Sequence, residues 1–125
     1  MIKTISATLD EKGNSGIINV LVDEVYYLGV ESRSSMILLE TPSRTYYTPG
    51  TLNYWTHVLN RSGYHFHIAD RSNSINISKI VEVDERYKIA FFDKHDRSKK
   101  CTMSSTGKRE VMELLSQTNT PYVLL

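Results

Sequence analysis

Cysteine is nearly missing from this chain of 125 residues, where Cys101 stands alone. A single thiol excludes an internal disulfide framework and suits a reducing compartment. No run approaches the roughly 20 consecutive apolar residues that a membrane-crossing helix needs. Residues 1–6 lack the long apolar stretch of a secretory signal. The expected setting is the cytoplasm, with no membrane partner. Linkers, internal repeats and low-complexity tracts are absent too, so residues 1–125 are expected to form one domain, long enough to bury a real core.

Charge of one sign is also scarce. Fifteen Lys and Arg against 14 Asp and Glu leave a formal net charge of +1, less than many strong nucleic-acid binders carry. The distribution is uneven. Arg86, Lys88, Lys94, Arg97, Lys99, Lys100, Lys108 and Arg109 share one stretch with only two acids, Asp93 and Asp96. That local excess is either a contact surface or a solvated face.

The signatures of catalysis are missing as well. The acids are scattered, no Ser-His-Asp or Cys-His spacing emerges, and there is no glycine-rich phosphate loop. No enzyme and no cofactor are expected. His65 and His67 share one strand face, but no third ligand follows at matching spacing, so no metal site is expected. Cys101 reads as a small apolar filler.

What is present is strand pattern. Eight tyrosines, with many Ile, Val and Thr, favour strands. Residues 2–9 alternate with period two, and residues 10–16 make a polar turn. Residues 17–22 read as a buried strand and residues 25–30 as another. A polar loop follows at residues 31–35. Residues 36–39 and 45–48 pair as a hairpin across Pro42. Thr51 is an N-cap candidate, and Leu52, Trp55, Val58 and Leu59 fall at helical spacing, with Trp55 on the core side. Tyr64, Phe66 and Ile68 alternate into the polar knot of residues 70–74, and an apolar segment resumes at Ile75. After a turn at residues 84–86, Tyr87, Ile89 and Phe91 are expected on an inward face. Residues 93–97 turn, residues 98–103 form a basic strand, and residues 108–116 form a short helix with a basic first turn. The tail ends in a short apolar tip, Tyr122 to Leu125, suited to packing or self-association. Strands with few helices point to a mostly-β domain of antiparallel sheets with one or two short helices.

The joint order of several segments resembles the LytTR family of bacterial DNA-binding domains. The residues are Val25-Tyr26-Tyr27-Leu28, the loop from Glu31 to Ser35, Thr51-Leu52, Phe66, then Arg71-Ser72-Asn73-Ser74-Ile75-Asn76, Ile80 and Ser104. The likeness covers about residues 17–115. It implies a β-sandwich-like fold whose loops, rather than a recognition helix, enter successive major grooves of double-stranded DNA. It implies three DNA-facing segments: Arg33, Ser34 and Ser35; Arg71, Ser72 and Asn73; and Ser104 to Arg109. Arg33 and Arg71 would read base edges, since a bidentate guanidinium suits guanine. Ser35, Ser72, Asn73, Lys100, Thr106 and Lys108 would hold phosphates, which position without specifying. Asn76 is expected inside the fold, bonded to backbone.

Three positions depart from the family pattern. Asp70 stands where a basic residue or His is common, Ile68 where an arginine is usual, and Ser35 where a larger polar reader occurs. These bear on affinity and target sequence more than on fold. The first 16 residues are too few for a receiver domain, so regulation is expected through a partner, dimerisation or expression level. The resemblance implies a transcription regulator acting on direct or inverted DNA repeats, with a homodimer or a regulatory protein as partner. The alternative is an interaction module or antagonist that keeps the fold and pairs with another regulator. A single-strand binder stacking bases on Tyr26, Tyr46, Tyr47 and Tyr64 is a third reading.

Overall fold

The computed structural model describes residues 2–31 and 33–125; Met1, and Ser32 of the first polar loop, lie outside the described residues. Strands β1 (Thr4–Ala7) and β2 (Ile18–Leu21) pair antiparallel. Ile5, Ala7 and Val20 face inward, while Ile17 is 81% exposed. The expectation of a buried strand over residues 17–22 is therefore corrected. A two-stranded ribbon hides one face only, and Ile17 and Leu21 lie on the other.

A five-stranded antiparallel sheet forms the centre. It contains β3 (Tyr27–Val30), β4 (Met36–Glu40), β5 (Thr45–Pro49), β6 (Phe66–Asp70) and β7 (Asn73–Asn76), in the order β5-β4-β3-β7-β6. Helix α1 (Leu52–Arg61) joins β5 to β6. Its N-cap is Thr51, whose hydroxyl accepts from the Tyr54 amide at 3.1 Å. The third sheet holds β8 (Glu82–Asp84), β9 (Ile89–Phe91), β10 (Lys100–Thr102) and β11 (Val123–Leu124) in the order β10-β9-β8-β11. Helix α2 (Ser105–Gln117) lies between β10 and β11. The mostly-β class with antiparallel sheets and two helices is as expected, with one exception. The tail adds β11 parallel to β8, Val123 opposite Glu82.

Period-two alternation gives the central sheet two apolar faces. Leu28, Ile37, Leu39 and Phe66 join Leu52 and Leu59 of α1 and the β1–β2 ribbon in one core. Ile75, Ala69, Val83, Ala90 and Phe92 join Val111 and Leu115 of α2 in the other. Tyr26 and Tyr27 stack on Phe92, with ring centroids 5.1 and 5.5 Å apart. Cys101 and Met103 are buried in this second core. Burial pushes the Cys101 thiol well above its ordinary range, and the carboxylates of Glu40 and Asp70 add to that.

Two local expectations fail here. Tyr87 is 65% exposed rather than inward. Lys88 adopts a φ of 57°, which breaks the alternation, so Ala90 and Phe92 fill the core. The second helix starts at Ser105, not Lys108, because Ser104 caps it through the Gly107 amide at 2.9 Å. Among the described residues no helix is long and apolar enough to cross a membrane.

Candidate nucleic-acid interface

Backbone register brings the polar segments to one end of the central sheet. Strands β3 and β7 pair with Gly29 opposite Asn73. One residue further on, the Val30 amide donates to the Ser72 carbonyl at 3.0 Å. The loop carrying Arg33, Ser34 and Ser35 therefore leaves the sheet beside the turn carrying Arg71 and Ser72. Arg33 and Arg71 are both exposed. In the loop, the Ser34 hydroxyl accepts from the Met36 amide at 3.0 Å.

The third segment is docked by a bulge. The β6–β7 register shifts between Ile68 and Asp70, which leaves Ala69 outside the ladder. Its carbonyl accepts instead from the Ser104 amide at 2.9 Å and the Ser104 hydroxyl at 3.2 Å. Gly107 sits directly on that carbonyl. A Cβ there would lie 1.9 Å from the Ala69 oxygen. His67 Nε2 and Glu110 Oε1, 3.0 Å apart, make a second tie between β6 and α2. The result is a cleft of about 310 Å³ bordered by Asp70, Arg71, Ser104, Thr106 and Glu110.

Asp70 folds its own turn. Its Oδ1 accepts from the Ser72 amide at 3.3 Å and lies 3.5 Å from the Ser72 hydroxyl. Among the described residues neither Arg33 nor Arg71 forms an ion pair. Asp70 thus holds the turn rather than the Arg71 guanidinium.

Not every expected residue reaches this surface. Asn73 is only 5% exposed, and its Nδ2 donates to the Thr102 carbonyl at 2.9 Å. Its role as a phosphate holder is corrected: it fastens β7 to β10. Asn76 is buried as expected, its Nδ2 donating to the Val25 carbonyl at 2.9 Å while its Oδ1 accepts from Ser78. The α2 segment splits between two helix faces. Ser104 and Thr106 border the Arg71 cleft, whereas Lys108 and Arg109 border another with Glu85 and Glu113. Lys108 Nζ is 3.6 Å from Glu85. Lys100 is exposed on β10 and borders neither cleft.

The basic stretch is also less bare than its sequence. Arg97 pairs with Glu82 and lies 3.7 Å over the Phe91 ring. Lys99 pairs with Glu40 at 2.7 Å. These acids lie up to 59 positions away in sequence, so composition within the stretch did not reveal them. Gly107 and the His67–Glu110 tie were missed as well. Gly107 left no signal, because it reads as the last residue before a helix starting at Lys108, whereas the helix starts at Ser105. His67 and Glu110 are 43 positions apart and left none. Among the described residues no group of three or more His, Cys, Asp or Glu side chains could hold a metal ion.

The family model for the LytTr DNA-binding domain matches residues 15–116. Among solved structures, the fold is similar to the LytTr DNA-binding domain of a protein described as a methyl-accepting/DNA response regulator from Bacillus cereus. The TM-score is 0.70 at 16% identity, over 90% of this chain and 95% of that one. No curated protein matches the sequence.

Proposed function

The chain belongs to the LytTR family of DNA-binding domains, and from that premise we propose that it binds double-stranded DNA sequence-specifically to regulate transcription. The observation that carries this reading is the convergence of three polar segments at one sheet end, through the Val30–Ser72 and Ser104–Ala69 hydrogen bonds. Arg33 and Arg71 are the base readers, each with a planar fork that matches guanine O6 and N7 in the major groove. Ser34, Ser35, Ser72 and Thr106 hold phosphates beside them, and Ser104 positions Thr106 by docking α2 on the Ala69 carbonyl. Lys100, Lys108 and Arg109 supply attraction that orients the duplex without reading it. The domain acts on direct or inverted repeats, as two copies or with a regulatory partner.

The test is a gel-shift titration on duplexes selected from a random pool, repeated across salt concentrations. The expected result is a steep fall of affinity with salt. Arg71→Ala is expected to weaken specific binding by about 1–3 kcal/mol, the scale of one bidentate contact. Unchanged affinity in a folded Arg71→Ala variant would remove Arg71 from the interface.

A second reading is favoured by the acids. Asp70 and Glu110 both border the Arg71 cleft, and carboxylates repel phosphate. On that reading the domain is an interaction module that pairs with another regulator. A folded protein that retains no duplex at low salt would select it.

A further inference from the structure

Val30 ends β3 with a side chain that is 40% exposed, although its cross-strand partner Ile37 is buried. The Val30 amide is held by Ser72, so the residue lies between the loop of Arg33 and the turn of Arg71. Beside it opens a crevice of about 310 Å³ whose apolar lining is Val30, Met36, Ile37 and Leu52, with Ser34 and Ser35 completing it toward the loop. Gly50 forms part of the wall. Its φ is 127°, and a Cβ there would lie 2.6 Å from the Trp55 indole nitrogen. That nitrogen donates to the Pro49 carbonyl at 2.9 Å, which fixes the wall in place.

On the strength of the duplex-DNA reading above, we infer that Val30 and this crevice receive the C5-methyl group of a thymine. The major groove presents hydrogen-bonding groups on every base pair, and its one apolar feature is the thymine methyl. An isopropyl group makes no hydrogen bond, so the methyl is the one base-edge feature it complements. The loop of Arg33 and the turn of Arg71 adjoin Val30, and both arginines match guanine. The surface therefore reads a thymine adjacent to guanine contacts, and Val30 is a specificity-determining residue.

The experiment uses duplexes that the wild-type protein selects from a random pool. Each thymine is replaced by uracil in turn, which removes the methyl and leaves the hydrogen-bonding edge unchanged. One replacement is expected to weaken wild-type binding about fourfold, the scale of burying one methyl group. Val30→Ser is expected to bind the original duplex with about the same loss and to ignore the uracil. Val30→Thr, of nearly the same shape, keeps the strand packing and is expected to show reduced uracil sensitivity. Selected duplexes on which no uracil matters, or a uracil loss that persists undiminished in both variants, would overturn the inference while leaving DNA binding intact. A wild-type protein that selects no duplex overturns both.

Discussion

Asn76 and Asn73 show how differently two buried amides of one strand are used. Asn76 satisfies the Val25 carbonyl across 51 positions of sequence. Asn76→Ala strands that acceptor in the core, and about 1–3 kcal/mol of stability is expected to be lost, read from the urea midpoint at constant m-value. Cys101 carries a second expectation at this scale. Its thiol is buried and its ionised form disfavoured, so iodoacetamide at neutral pH should label it only as fast as the protein unfolds. Labelling of the native protein at the rate of a free thiol would contradict its placement. Both residues had a legible role in the sequence. Asn73 did not, because its partner, the Thr102 carbonyl, comes from a strand 29 positions away.

At the scale of elements, Gly107 opposes two physical tendencies. Helix propensity alone predicts that Gly107→Ala stabilises α2 by about 1 kcal/mol. The contact with the Ala69 carbonyl predicts the reverse, since overpacking costs about 1–3 kcal/mol. The added methyl would lie 1.9 Å from that oxygen, too close for a side-chain adjustment to relieve. Gly107→Ala is therefore expected to destabilise, with thermal melting as the check. The loop at residues 93–98 has a pH signature. Asp93 is held below its ordinary carboxylate range by the amides of His95 and Asp96, and Asp96 by the hydroxyl and amide of Ser98. A lowered folded pKa contributes stability above the ordinary carboxylate range and loses it as pH falls through the lowered value. Asp93→Asn should lower Tm near neutrality, and the difference should close on acidification. Element types were legible from alternation and cap chemistry: Thr51 and the apolar stripe placed α1. The start of α2 was not, because Ser104 is one of several adjacent hydroxyl residues. What selects it is the Ala69 carbonyl, to which it also bonds.

The whole molecule is two cores on opposite faces of one sheet. Trp55 packs against the first core and Leu115 lies in the second. Strands β3 and β7 are shared, so the faces should unfold together. Leu115→Ala is expected to cost about 2–5 kcal/mol, and Trp55 fluorescence and far-UV circular dichroism should report the same shifted midpoint. A Trp55 transition that stays in place would show the cores to be independent. At this scale the sheet-rich architecture was legible from strand patterning. The basic stretch was misleading as a surface, since Glu40, Glu82 and Glu85 return to Lys99, Arg97 and Lys108 only in three dimensions.

Side chains along a strand alternate like odd and even numbers, and Ala69 is the extra count between Ile68 and Asp70. That extra count sets which side chains of β6 face outward and frees the Ala69 carbonyl for Ser104. Removing one residue from Phe66 to Ile68 would turn that strand's side chains to the opposite face, and removing Ala69 would straighten the ladder and take away the carbonyl that docks Ser104. The largely exposed turn at residues 11–16 carries no such constraint. A library of single-residue deletions should tolerate gaps there and reject them from Phe66 to Ala69, making length, before side-chain identity, the first requirement of this face.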